Sequence, residues 1–192
     1  SDATITSPVW SFTTGGSTWD GSESTAWSDP LNWSGDALPV ETTDVTITAD
    51  PGNQPVISSS TEAECLNLTV MPGASLTIES SSTTASGSLI VHGTSTGDVI
   101  YNRFLRPENN DGSRHIFSSP VAGQTVSGFI AVNGAKIKQE GSVYQIFEWD
   151  EWSGSWPIIS SGSFAGGHGY HLKQAEGSDG LLTFTGTLNN EP

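Results

Sequence analysis

"ITADPGNQPVI", residues 47–57, and "LTVMPGASLTI", residues 68–78, are one phrase written twice. Each runs from an apolar start through Pro-Gly to an apolar end, and the second follows the first by 21 residues. Ile47, Leu68 and Leu89 share that spacing, as do Ile57, Ile78 and Val99. Pro51 matches Pro72, Gly52 matches Gly73, and "LIVHGT" supplies a third copy with Gly93 at the proline position. Self-similarity at a short fixed period marks a solenoid, in which each turn cannot bury its own apolar face and needs a matching neighbour. Within the copies apolar residues alternate: Val45 and Ile47; Leu66, Leu68 and Val70; Leu76 and Ile78; Leu89 and Val91. That is strand periodicity. At about 3.3 Å rise per residue, 21 residues close a rung of three short strands and their turns. The reading is a parallel β-solenoid of about two and a half coils, with inward Leu, Ile and Val, outward Thr and Ser, and Pro-Gly at a corner.

So few coils need a cap. Residues 1–43 offer one, with Trp10, Trp19, Trp27 and Trp33 between Gly and Asp turns. A sugar-stacking platform is the functional alternative for these tryptophans. Past residue 100 the period is lost and short strands at turn-rich spacing suggest a small antiparallel β-sandwich. "VYQIFEWD", "EWSGS" and "WPIIS" read as a hairpin, "FAGGHGYHL" as a Gly-rich turn entering a strand, and "GLLTFTGTL" as a strand. No segment has a helical period. The fold class expected is therefore all-β, a capped solenoid over 1–100 and an antiparallel domain over 101–192.

Charge supports that division. Residues 1–100 hold 12 acids and no Lys or Arg; residues 101–192 hold 9 acids and 6 bases. The net charge of −15 repels phosphate backbones and anionic membranes, which argues against nucleic acid as a partner. No apolar run is long enough for a membrane helix. The single cysteine, Cys65, cannot form an internal disulfide and reads as a small buried hydrophobe. Sparse Lys and Arg with abundant Ser, Thr, Gly and Asn suggest a secreted protein.

The segments "STAWSDPLNWSGDALPVETTDVTI", "LNLTVMPGASLTI" and "GSLIVHG" resemble β-solenoid modules of large secreted bacterial cell-surface proteins. "RFLRP", "HIFSSPVAGQTVSGF", "VYQIFEWDEWSGSW", "FAGGHGYHL" and "LLTFTGTLNN" resemble a module that follows in proteins exported by the type IX secretion pathway. The resemblance spans nearly the whole chain and rests on turns and packing residues. It implies an adhesin-like, surface-layer or polysaccharide-enzyme accessory role, cut from a longer protein whose neighbouring modules are its partners.

Candidate chemistry is thin. Glu148 and Asp150, two apart on a strand, should share a face with carboxyls roughly 6–7 Å apart, a range that overlaps paired-carboxylate glycoside hydrolysis. A solvated hairpin face is the simpler reading. His168 and His171 could share a metal, but no third ligand stands nearby in sequence, so no metal site is expected there. "PENNDGSR", residues 107–114, clusters oxygen ligands without EF-hand spacing, so no cofactor is expected beyond weak Ca2+. Ser118 and Ser119 lack a nucleophile context and read as a strand end. A solenoid lyase would need cations to neutralise a uronate, and the solenoid half has none. Trp152, at the hairpin tip between Glu151 and Ser153, with Trp149 and Trp156 near it, is the candidate ligand platform. The function expected is a non-catalytic structural or adhesive module of a secreted cell-surface protein. The alternative is a carbohydrate-binding module of a polysaccharide-degrading enzyme, taking neutral glycans.

Overall fold

The computed structural model describes residues 15–107 and 114–189. Trp10 and most of the 107–114 loop lie outside them. The chain winds as β1 (Ser17–Thr18), β2 (Val45–Ile47), β3 (Val56–Ile57), β4 (Glu62–Cys65), β5 (Leu68–Val70), β6 (Thr77–Ile78), β7 (Ser88–Val91), β8 (Ser95–Thr96) and β9 (Val99–Phe104). These stack in parallel on three faces: β1-β2-β5-β8 on the first, β3-β6-β9 on the second, β4-β7 on the third. The solenoid is thus present, with about three turns.

Its register departs from a uniform 21. Only the β3–β6 pair of the second face keeps that step, with Val56 beside Thr77 and Ile57 beside Ile78, whereas Thr77 lies beside Ile100, a step of 23. On the first face Val45 lies beside Leu68 and Ile47 beside Val70, a step of 23. On the third face Ala63 lies beside Leu89, a step of 26. Leu68 therefore stacks on Val45 and Ser95, not on Ile47 and Leu89 as the spacing suggests. Corner length explains the drift. Four residues join β3 to β4, whereas nine join β6 to β7, and the extra ones form a Ser-rich loop closed by the Ser80–Ser86 bridge. Strands can stay in contact while corners differ, because a corner faces water.

The interior follows the alternation in the first two copies, whereas Leu66, Leu89 and Val91 are only partly buried. Val45, Ile47, Ile57, Ala63, Cys65, Leu68, Val70, Leu76, Ile78 and Val99 are buried. Burial, then the nearby carboxylates of Asp44 and Glu64, pushes the Cys65 thiol up to about 12. Gly97 makes the last corner at φ +80°, and a Cβ there would strike the Val70 carbonyl oxygen.

The tryptophans form the cap. Trp19, Trp27 and Trp33 are buried, with Trp33 edge-on to both others at centroid distances of 4.9 and 4.6 Å. Trp19 Nε1 donates to Asn53 O and Trp33 Nε1 to Trp27 O. Buried Asn32 satisfies its whole amide: Oδ1 accepts from the N–H groups of Glu23 and Ser24, and Nδ2 donates to Ser24 Oγ and Ala26 O. Burial removes these three rings from any sugar-stacking role.

The second half adds β10 (Arg114–Phe117), β11 (Val121–Ala122), helix α1 (Val126–Asn133), β12 (Gln139–Glu140), β13 (Val143–Tyr144), β14 (Ile146–Glu148), β15 (Tyr170–Lys173) and β16 (Leu181–Leu188). Antiparallel sheet β10-β15-β14 faces the sheet holding β16 across Phe117, Phe129, Phe164, Tyr170 and Phe184. β12 and β13 pair as a separate hairpin. Helix α1 corrects the expectation of no helix. At eight residues, rich in β-branched side chains and Gly, it carries almost no helical pattern. Tertiary contacts hold it instead. Thr125 Oγ1 caps Gly128 N–H, while Asn133 donates to Thr183 O and accepts from Thr183 N–H.

β9 belongs to both halves. It lies parallel to β6 on one side and antiparallel to β16 over Val99–Phe104 on the other. One five-stranded sheet, β11-β16-β9-β6-β3, therefore runs from the solenoid into the sandwich. The charge shift near residue 100 falls inside this shared strand.

Candidate functional site

The hairpin that carries the candidate aromatics starts on β14 and returns through residues 155–159. Its arms join at Asp150–Ser155 and Phe147–Ile158, and Glu148 N–H donates to Pro157 O. The return arm makes isolated bridges rather than a full strand. Asp150 shapes the tip: Oδ1 accepts from Trp152 N–H at 3.0 Å and Oδ2 from Ser153 Oγ at 2.6 Å. The Ser153 hydroxyl first, then the Trp152 N–H, holds the Asp150 carboxyl below its usual range.

The three tryptophans divide into a packed pair and a bare ring. Trp149 and Trp156 meet at 5.3 Å with planes 54° apart. Trp156 lies 4.5 Å from the His171 ring, which lies 4.3 Å from Phe147. Arg114 sits over the outer ring, 5.3 Å from the Phe147 centroid. This ladder anchors the hairpin to β15. Trp149 remains 40% exposed. Trp152 is 99% exposed, held out by a backbone that Asp150 pins. It packs on nothing within the described residues.

Glu148 and Asp150 serve different local networks. Glu148 Oε1 accepts from Tyr170 Oη at 3.2 Å and stands 3.4 Å from His168 Nδ1. Tyr170 is pushed above the usual phenol range mainly by burial, and further by Glu148. His168 and His171 are not gathered at one point. Three residues apart on extended chain they take opposite faces: His168 toward Glu148 and solvent, His171 inward at 4% exposure. His171 Nε2 has no hydrogen-bond partner among the described residues. Burial first, then Arg114 and Lys173, holds its pKa below the usual imidazole range. Ser119 is buried, its hydroxyl donating to Val121 O in the turn before β11.

One group of ligand-bearing side chains escapes the sequence reading. Glu41, Glu64 and His92 bring one ligand atom each to within 4.8 Å of one another at a solenoid corner. They stand 23 and 28 residues apart in sequence, so a uniform 21-residue register sends them to different places. Only the true corner lengths reveal them.

The architecture defines an all-β protein, a capped parallel solenoid sharing a sheet with an antiparallel sandwich. Residues 18–99, from β1 to the first residue of β9, match a family described as a domain of unknown function, DUF8693. No curated protein and no solved structure matches the chain.

Proposed function

We propose that the chain is a non-catalytic structural and adhesive module of a secreted bacterial cell-surface protein, spacing and displaying a contact ring. The observation that carries the reading is Trp152. An indole left 99% in water offers a large apolar face whose burial by a partner is favourable. Its backbone is fixed by Asp150 and its hairpin is anchored through Trp156, His171 and Phe147. A bare ring on a fixed support suits recognition at low entropic cost. The sheet β10-β15-β14 that carries the hairpin packs on the shared sheet through Phe117, Tyr170 and Phe184. The secreted, surface-bound setting rests on the resemblance of the solenoid and sandwich segments to modules of exported surface proteins.

A carbohydrate-binding module is the second reading, favoured by the half-exposed Trp149 beside Trp152 on one hairpin. Aromatic faces suit the apolar faces of neutral sugars. The test is a glycan-array screen of the chain beside Trp152→Ala, with and without calcium. Neutral-glycan binding that the variant loses selects the carbohydrate module. The structural and adhesive reading expects no glycan signal, and capture of a surface protein that Trp152→Ala abolishes. Failure of Trp152→Ala to alter any interaction overturns both.

A further inference from the structure

The Glu41–Glu64–His92 corner stands far from the aromatic hairpin in the chain and serves none of its contacts. Glu41 lies in a turn closed by Thr43 N–H donating to Val40 O. Leu66 N–H donates to Thr43 O, tying that turn to the end of β4, where Glu64 sits. His92 is the first residue after β7, and its N–H donates to Cys65 O. Backbone bonds thus line up three successive passes of the chain, each carrying one ligand. A second ladder stiffens the same corner: Asn67 Nδ2 donates to Asp44 Oδ1, and Asn67 Oδ1 accepts from Thr94 N–H and Oγ1. Gly93 lets the third pass come close, since a Cβ there would strike Asn67 Oδ1.

The ligand chemistry is mixed, one imidazole and two carboxylates, so it is more than an acidic patch. His92 Nε2 and Glu64 Oε2 stand 3.3 Å apart. Two ligands each about 2.0–2.1 Å from a tetrahedral ion stand about 3.4 Å apart, so that edge is already at metal-binding separation. Glu41 completes a third position within 4.8 Å, which a side-chain rotation brings in. No Lys or Arg precedes Arg103 in the sequence, and the Arg103 guanidinium is directed to Ser86 Oγ, so residues 1–102 supply no Lys or Arg to balance the two carboxylates. The surrounding field concentrates cations.

We propose that Glu41, Glu64 and His92 form a site for a divalent transition metal of the zinc class, which clips three passes of the solenoid together. Imidazole selects such an ion over calcium, which prefers oxygen ligands and higher coordination. Three protein ligands leave a fourth position for water. Because the ligands come from three passes, a bound ion opposes uncoiling and raises the melting temperature.

The test is calorimetric titration of the chain with Zn2+ and, separately, with Ca2+, beside His92→Ala, Glu41→Gln and His168→Ala. Circular dichroism confirms that each variant is folded; His92 and Glu41 are exposed, so neither change removes core. The site requires one Zn2+ per chain, with affinity falling about tenfold or more in His92→Ala and Glu41→Gln. His168→Ala, which removes an exposed His–Glu pair on the aromatic hairpin's side, leaves it unchanged. Absent Zn2+ binding overturns the proposal. So does Zn2+ binding indifferent to His92→Ala, or Ca2+ binding as tight as Zn2+, either of which describes a diffuse acidic surface.

Discussion

Trp33 is wholly buried in the cap, edge-on to two other indoles, with its N–H spent on Trp27 O. Trp33→Ala should cost about 3–5 kcal/mol, read from chemical unfolding, because the first rung cannot close over so large a void. A loss below about 1 kcal/mol would mean that the cap does not stabilise the coils. The cap was legible because tryptophans between Gly and Asp turns have few other uses at the end of a solenoid. His171 was not. Its "GGHGYH" setting suggests an exposed turn, and only the pairing of β15 between β10 and β14 buries it. Its depressed pKa has a consequence for stability. The unfolded chain takes up this proton at a higher pH than the folded chain, so stability rises with pH across that window. The contribution is complete above the ordinary imidazole value of about 6.5 and is lost as pH falls through the lower folded value. Asp150 and Asp179, also depressed, lose theirs only below about pH 4. Melting temperature should therefore drop between pH 7 and 5, and His171→Phe should flatten that drop; an unchanged slope in the variant would remove His171 as its cause.

Strands and corners follow different rules, which is why the elements were only partly readable. Inward alternation over Val45–Ile47, Leu68–Val70 and Thr77–Ile78 is set by burial and shows in the residues themselves. Register depends on how many residues each corner spends, and the Ser- and Thr-rich run at 80–86 carries no signal of it. A disulfide test separates the two registers. Thr46 lies beside Thr69 on adjacent parallel strands, both side chains half-buried on the outer face. Neighbouring strands are about 4.8 Å apart, within the Cα range of a disulfide. Thr46→Cys with Thr69→Cys should oxidise readily, whereas Thr48→Cys with Thr69→Cys, the pair a 21-residue step implies, should not. The reverse result would restore the uniform step. The helix was illegible for another reason: Asn133 clamps it to Thr183 across 50 residues, an interaction that leaves no local pattern.

At the scale of the molecule, the decisive element is β9. The sequence divides by charge near residue 100, yet the strand spanning that point pairs with the solenoid on one edge and with β16 on the other. Long-range pairing of this kind cannot be read from composition. It makes the sandwich the closing cap of the solenoid's second face, and the hairpin of Trp152 rises from β14 in the sheet that packs on this shared one. The candidate site was legible as three tryptophans in one hairpin, but not as a packed pair and a bare ring, because that split depends on His171 and Phe147 lying beneath Trp156. The display reading stands on the rigidity of this body. The measurement that tests it most directly is native-state amide hydrogen exchange on Phe184→Ala. Phe184 is buried in the sandwich, and its loss removes about 3–5 kcal/mol locally. One continuous body requires the solenoid amides that donate across the second face, Thr77 to Pro55 O and Glu79 to Ile57 O, to lose protection together with the sandwich. Full protection of those amides while the sandwich exchanges freely would show two independent units joined by a strand, and would contradict the account.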